Sequence, residues 1–284
     1  MTRQTAIRTN VLEALYGRYN HRQFIKPDPL QFVYNYSARG DMEIAAFLSA
    51  ALAYGRVGQI EKSLTDLFQR MSPAPGRFVR DFDARQRAVL KDFKHRFTTG
   101  DDISDLLIIL KKVLGSHGSL EDFFTQFHSP GDKNIIPALS KFCDALLQMH
   151  TRIHNSRPSR GLRYLLSNPE GGSACKRLNL FLRWMVRKDS VDPGLWKSID
   201  KAKLIVPVDV HMARLCKILG LHNHKNASLK AALTITEAFV RIEPADPVKY
   251  DFALSRVGIL ENCTGACRAQ CTDCEILEFC LQPH

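Results

Sequence analysis

Five of the chain's eight cysteines fall within its last twenty-two residues: Cys263, Cys267, Cys271, Cys274 and Cys280. The run reads C-x3-C-x3-C-x2-C-x5-C. Most of these thiols stand too close in sequence for relaxed disulfides, and five cannot all pair. Short, unequal spacings let one compact loop wrap a single metal centre, and four thiolates suit either an iron–sulfur cluster or tetrahedral zinc. Metal ligation is therefore the chemistry this run predicts.

Two further segments carry reactive side chains. Pro169-Glu170-Gly171-Gly172-Ser173 is a glycine-rich turn that leads through Ala174-Cys175 into Lys176-Arg177-Leu178-Asn179. A turn entering a helix leaves backbone N–H groups for a phosphate, with Lys176 and Arg177 beside it. Ile205-Val206-Pro207-Val208-Asp209-Val210-His211 places one carboxylate among apolar neighbours at a helix start. Asp209 reads first as a helix cap. A partly desolvated carboxylate there can also stabilise positive charge or activate a nucleophile.

The charge balance points to a polyanionic partner. Forty Lys and Arg stand against twenty-nine Asp and Glu, a net charge of +11. Arg152, Arg157, Arg160 and Arg163 form one cluster, Lys176, Arg177, Arg183, Arg187 and Lys188 a second, and Lys91, Lys94, His95 and Arg96 a third. Such clusters are the usual source of phosphate contacts, so nucleic acid is the expected partner. A solvated basic face is the plain alternative. No run is long and apolar enough to cross a bilayer, and the N-terminus lacks a signal-peptide pattern, so a cytoplasmic location is expected, where thiols stay reduced.

The elements that must position these groups read as helices. Residues 42–53 form a nearly continuous apolar run, started at Gly40-Asp41. Ile60, Leu64, Leu67 and Phe68 keep a helical period, as do Ile103, Leu106, Leu107, Leu110, Val113 and Leu114 behind Asp101-Asp102, and Ile136, Leu139, Phe142, Cys143, Leu146 and Leu147. Further helices are expected at 120–127, 174–187, 209–219, 228–241 (capped by Ser228) and 247–260. No segment alternates long enough for a convincing strand. Breakers at Pro73-Ala74-Pro75-Gly76, Ser129-Pro130-Gly131, Pro158, Pro169-Glu170-Gly171-Gly172 and Pro193-Gly194 read as turns. The fold class expected is all-α.

Taken in order, the three chemical segments resemble the helix–hairpin–helix DNA glycosylase superfamily, and its endonuclease III branch in particular. Lys176-Arg177-Leu178-Asn179 is similar to that branch's Lys-Thr-Ala-Asn, and Val208-Asp209-Val210-His211 is similar to its Val-Asp-Thr-His. Cys271, Cys274 and Cys280 match the last three cysteines of its C-x6-C-x2-C-x5-C loop. Phe47-Leu48-Ser49-Ala50-Ala51 and Phe93-Lys94-His95-Arg96-Phe97 look like early helical segments of the superfamily. The whole chain also resembles an uncharacterised bacterial family known as a domain of unknown function. Three departures stand out. Cys263 lies eight positions before Cys271, with Cys267 as the alternative fourth ligand. Gly171-Gly172 stands well ahead of Lys176, and the segment at Ala51 lacks the Gln that the branch inserts into the DNA stack.

The resemblance implies a two-domain fold. Residues 40–198 would form a helical barrel-like domain ending in the hairpin and the lysine-bearing helix. Residues 1–39 and 199–284 would form a second helical domain holding the Asp209 helix and the cysteine loop. It further implies base excision from damaged double-stranded DNA by a monomer. Asp209 and Lys176 would be catalytic, and Gly171, Gly172, Ser173, Arg177, His211 and Arg96 would contact DNA. A [4Fe–4S] cluster, or zinc in its place, would sit on Cys263, Cys271, Cys274 and Cys280. Strand cleavage as an AP lyase is open to such an enzyme if Lys176 is its nucleophile. An oxidised purine is the lesion class suggested by the long Lys176–Asp209 spacing. A non-catalytic nucleic-acid-binding protein on the same scaffold is the second expectation. A metalloenzyme using His211, His222 and His224 is a third, set low because no histidine pair is read as having helical ligand spacing beside a carboxylate.

Overall fold

A computed structural model of the chain describes residues 3–260, 263, 271 and 274–280, without the side chains of 3–7. The regular structure of these residues is helical except for one small hairpin. The helices are α1 (Arg3–Tyr19), α2 (Arg39–Ala51), α3 (Val57–Arg70), α4 (Pro75–Arg80) and α5 (Ala84–Leu90). After the hairpin follow α6 (Gly100–His117), α7 (Leu120–Thr125), α8 (Ile136–His154), α9 (Arg160–Leu165) and α10 (Lys176–Val186). Then come α11 (Val210–Ile218), α12 (Leu229–Val240), α13 (Asp251–Ile259) and α14 (Leu277–Cys280). The periodic segments thus fold as the spacing predicts.

Three local expectations are corrected. Phe93–Phe97 is not helical: Lys94–His95 (β1) pairs antiparallel with Thr98–Thr99 (β2), and Arg96 takes φ +55° in the turn between them. Pro75 does not break the chain but opens α4, where its missing N–H has no intrahelical acceptor to lose. Helix α6 starts ahead of Asp101-Asp102, at Gly100, and its cap is Thr99. The Thr99 hydroxyl accepts from the Asp102 N–H at 3.3 Å, while Asp102 Oδ2 accepts from the Thr99 N–H at 2.8 Å. That reciprocal pair satisfies two donors the helix start would otherwise leave open.

The apolar faces converge on one contiguous core running from Leu12 to Phe279. Within it α2 packs on α4, α10 and the short 3-10 helix Pro29–Asn35, whereas α13 packs on α1 and α11. Residues 29–35 therefore sit against α2. The stretch between Lys176 and Asp209 is also structural: Trp196 is fully buried against Phe124 and Phe181. Its indole N–H donates to Glu43 Oε1 at 2.7 Å, and Glu43 Oε2 accepts from the Leu120 N–H at the start of α7. Burial pushes the Glu43 carboxyl above its ordinary range, against the pull of these donors.

A buried ionic network fastens α10 to both ends of the chain. Arg183 contacts Asp192 (Nη2–Oδ1 3.1 Å) and Asp251 of α13. Arg187 contacts Asp189, Asp192 (Nη1–Oδ2 3.0 Å) and Asp246 (Nε–Oδ2 2.9 Å), and donates to the Tyr16 hydroxyl of α1. Both arginines were counted in a basic surface cluster by sequence. They are instead buried and paired, which is how such charges are tolerated in a core.

Candidate active site

Lys176 is the first residue of α10 and Asp209 is the N-cap of α11, so two helix starts face one cleft. Asp209 divides its two oxygens between two tasks. Oδ1 accepts from the backbone N–H groups of His211 (3.0 Å) and Met212 (2.9 Å), which is the cap expected from sequence. Oδ2 turns the other way and lies 3.8 Å from Lys176 Nζ. The lysine side chain retains 30% of its exposure and the aspartate 41%, so both reach solvent across the opening.

The cleft below them measures about 460 Å³, inside the ~300–1,000 Å³ usual for sites that take a small-molecule-sized group. Its walls include Ile60, Leu180, Pro207 and Met212, and its polar groups include Asp28, Arg183, Asp251, Ser255 and Arg256. Arg256 is fully buried and donates to the carbonyls of Phe24 and Ile25 and to Asp28 Oδ2 at 3.1 Å. Burial pushes the Asp251 carboxyl up to about 6 despite Arg183 beside it. A second recess of about 320 Å³ adjoins along Ser173–Leu178 and shares Lys176, Arg177 and Asp209 with the first.

One group at the cleft was not anticipated from sequence. Tyr54, Phe97 and Tyr164 come from three separate elements and make mutual ring contacts of 4.7–5.4 Å. Phe97 is 49% exposed and Tyr164 37%, while Tyr54 and Tyr164 also line the cleft. Partly exposed aromatic rings beside a cleft are a form taken by base-stacking platforms, and here the Arg177 guanidinium already lies over Tyr54 and Tyr164. No single-sequence signal joins residues 54, 97 and 164.

The expected DNA contacts divide. Gly171, Gly172 and Ser173 are exposed, and Ser173 lines the second recess. Gly172 takes φ +78°, a conformation natural for glycine, and its carbonyl accepts from the Leu229 N–H. The N–H groups of Gly171 and Gly172, however, donate to Asn168 and Pro169 within the turn. They are thus not the free phosphate donors the motif suggested. Arg177 is likewise committed. Its guanidinium donates to the carbonyls of Ala51 (2.7 Å) and Tyr164 and lies 4.1 Å from the Tyr164 ring centre. It is a strut under the aromatic platform. Arg96 is exposed at the hairpin tip, 5.8 Å from the Tyr54 ring centre, and His211 is exposed and lines the cleft. His95, beside Arg96, is fully buried: its ring meets Ser63 Oγ and the Tyr54 carbonyl, and burial lowers its pKa. It holds the hairpin rather than contacting phosphate.

The cysteine run joins this site through α11. The Cys263 N–H donates to Val257 O, and its carbonyl accepts from Arg214 Nη2 at 2.6 Å. Cys263, Cys274 and Cys280 pack half-buried against the core, Cys271 is half-buried, and Ile276 and Phe279 anchor the segment. Thiolates are the ligand type that an iron–sulfur cluster or zinc takes, although the group of ligand atoms found close together among the described residues is a different one, Asp105, His150 and His154. Cys267 lies outside the described residues. Of the other histidines, His222 contacts the Ala213 carbonyl and His224 the Thr234 hydroxyl, so both rings are engaged within the protein. The reading that no histidine pair has ligand spacing beside a carboxylate is wrong. His150 and His154 stand one turn apart on α8, with Asp105 of α6 against them.

No helix among the described residues is long and apolar enough to cross a membrane. No curated protein and no solved structure matches the chain. A family profile covers residues 28–260, a span that contains Lys176, Asp209, the aromatic platform and every residue that lines the cleft except Pro27. The chain belongs to that family, described as protein of unknown function (DUF2400).

Proposed function

We propose that this chain is a DNA base-excision N-glycosylase of the helix–hairpin–helix kind, acting on a nucleotide extruded from a duplex. The observation that carries the reading is the 3.8 Å approach of Lys176 Nζ to Asp209 Oδ2 at the mouth of a cleft. A flipped base enters between Pro207, Met212 and Leu180, and the aromatic platform stacks the neighbouring bases. As the N-glycosidic bond breaks, its electrons leave with the base, and Asp209 stabilises the positive charge developing at C1′. Two continuations balance. Asp209 Oδ2 takes a proton from water, whose oxygen bonds C1′. Alternatively it takes one proton from the Lys176 ammonium, the freed nitrogen pair bonds C1′, and the C1′–O4′ bond breaks as O4′ takes a second proton from that nitrogen, leaving a protonated Schiff base competent for β-elimination. An oxidised purine remains the lesion class proposed, and the protein is proposed to work as a cytoplasmic monomer.

The test is a panel of duplexes carrying oxidised, alkylated and deaminated bases, assayed for free base and for strand breaks at matched protein concentration. Release of at least one base is expected. Borohydride should trap a protein–DNA adduct that disappears in Lys176→Ala. Base release without trapping would select the water route. Binding across the panel with no product would overturn glycosylase activity and select the second reading, a non-catalytic nucleic-acid-binding protein. Two sequence features favour that second reading: Gly171-Gly172 stands well ahead of Lys176, and the segment at Ala51 lacks an intercalating Gln.

We further propose that Cys263, Cys271, Cys274 and Cys280 hold a [4Fe–4S] cluster. When bound, the cluster supplies a cross-link that orders a segment too short to have its own core. Through Arg214 that order reaches the helix capped by Asp209. Anaerobically purified protein is expected to be brown, with iron and acid-labile sulfide in near-equal amounts. One zinc per chain in a colourless protein would replace the cluster with the zinc alternative.

A further inference from the structure

We propose that Asp105, His150 and His154 form a divalent-metal site that takes a borderline transition ion of the zinc class and clamps α6 to α8. One ligand atom from each residue lies within 4.8 Å of the other two. His150 Nε2 is 3.2 Å from Asp105 Oδ2, and His154 Nε2 is 3.9 Å from Asp105 Oδ1. Donors on a tetrahedral zinc at ~2.0–2.1 Å stand about 3.3 Å apart, so His150 Nε2 and Oδ2 are already at ligand spacing, while His154, which faces Oδ1, has to close toward Oδ2 for one oxygen to serve both. Two histidines four residues apart on one helix present their rings on the same face. These rings have centres 4.6 Å apart.

Two further observations separate this from an ordinary hydrogen-bonded pair. His154 Nε2 is buried among the described atoms without a hydrogen-bond partner, although it points at Asp105. A second ring nitrogen, His150 Nδ1, is also buried and unpartnered, and His150 is 3% exposed. A buried nitrogen without a partner forfeits ~1–3 kcal/mol, which a metal would offset at His154 Nε2, whereas His150 Nδ1 lies on the far side of its ring from Asp105 and gains nothing from the ion. The outer contact is also in place. Arg87 Nη1 lies 3.3 Å from Asp105 Oδ1. If Asp105 ligates through Oδ2, that arginine holds the second oxygen, the kind of support ligating carboxylates commonly have. Three protein ligands leave a fourth position for water. Imidazole with one carboxylate favours zinc, cobalt or nickel over the hard ions calcium and magnesium. None of the three residues lines the Lys176–Asp209 cleft, so this site stands independently of the proposed glycosylase.

Cobalt(II) chloride titrated into the purified full chain tests this, because cobalt reports its ligands. One equivalent bound with visible d–d bands and no added sulfur-to-cobalt charge-transfer band is expected. Asp105→Asn and His154→Ala should weaken that binding by at least about tenfold. Circular dichroism should be unchanged in His154→Ala, since this residue ends α8 and is partly exposed. His154→Glu, which restores a ligand, should recover part of the affinity. Zinc chloride should raise the wild-type Tm and leave that of His154→Ala unmoved. Cobalt taken up only with a charge-transfer band, meaning capture by the cysteine run, overturns the proposal. Equal cobalt affinity in wild type and His154→Ala does the same.

Discussion

Asp209→Asn is expected to reduce base release by about 10³-fold while leaving duplex affinity and folding nearly intact. The substitution separates the two tasks of this side chain. Asparagine caps helices as well as aspartate does, and its amide oxygen can accept from His211 and Met212 as Oδ1 does now. What it removes is the charge facing Lys176. An exposed ion pair contributes ~0–1 kcal/mol to stability, so Tm should hardly move. The same charge facing a developing cation at C1′ is worth about 4 kcal/mol in the barrier, which is the stated 10³-fold. Single-turnover release of base, measured with enzyme in excess, checks this without interference from product release. Turnover within a few-fold of wild type would remove Asp209 from the chemistry and leave it a cap.

The pairing of Lys176 with Asp209 was legible because each sits in a short segment whose chemistry can be read locally. A glycine-rich turn feeds one helix start, and an aspartate among apolar residues caps the next. Their approach to 3.8 Å is a tertiary fact that no local pattern contains. The same division runs through the fold. The helices at 100–117 and 136–154 follow from period, because each buries an apolar face, and the helix at 39–51 follows from an unbroken apolar run, which is buried on every side from Glu43 to Ala51. The short helix at Pro75 and the hairpin at residues 94–99 did not, since a proline signals a break and a start alike, and two-residue strands carry no period.

Charge was read least well, for a physical reason. Arg183 and Arg187 look like surface cations beside Lys176 and Lys188. Their carboxylate partners lie up to sixty-eight residues away, in a turn and in α13. Composition counts them toward +11, although neither can meet a phosphate. Other clustered cations, Arg96, Arg160 and Arg163, are exposed, and Arg96 lies 5.8 Å from the Tyr54 ring centre. The histidine pair shows the opposite limit. The spacing of His150 and His154 is plain in the sequence, but Asp105, forty-five residues earlier, gives it meaning only once α6 packs on α8.

Arg183→Met is expected to be the most destabilising single change in the fold, by about 3–5 kcal/mol at pH 7.5. Methionine fills much of the volume but leaves two buried carboxylates short of a partner. Asp192 keeps Arg187, whereas Asp251 loses the guanidinium that donates to it. The loss should depend on pH in a definite sense. Burial already holds the folded Asp251 carboxyl at about 6, above its ordinary 3.8, so the native state binds its proton more tightly than the unfolded chain. For a carboxyl raised in this way, stability falls as pH rises from the unfolded value to the folded one. Removing Arg183 moves the folded value higher still and extends that window through neutral pH. The variant should therefore lose about 2 kcal/mol more than wild type between pH 5.5 and 7.5, measured by urea unfolding at both values. Adding Asp251→Asn to the variant should recover stability at pH 7.5 and flatten the difference. A loss equal at the two pH values, or no recovery in the double variant, would show that packing rather than the stranded carboxylate sets the cost. In either case the same measurement bears on the site, because Arg183 and Asp251 form part of the cleft beneath Lys176 and Asp209.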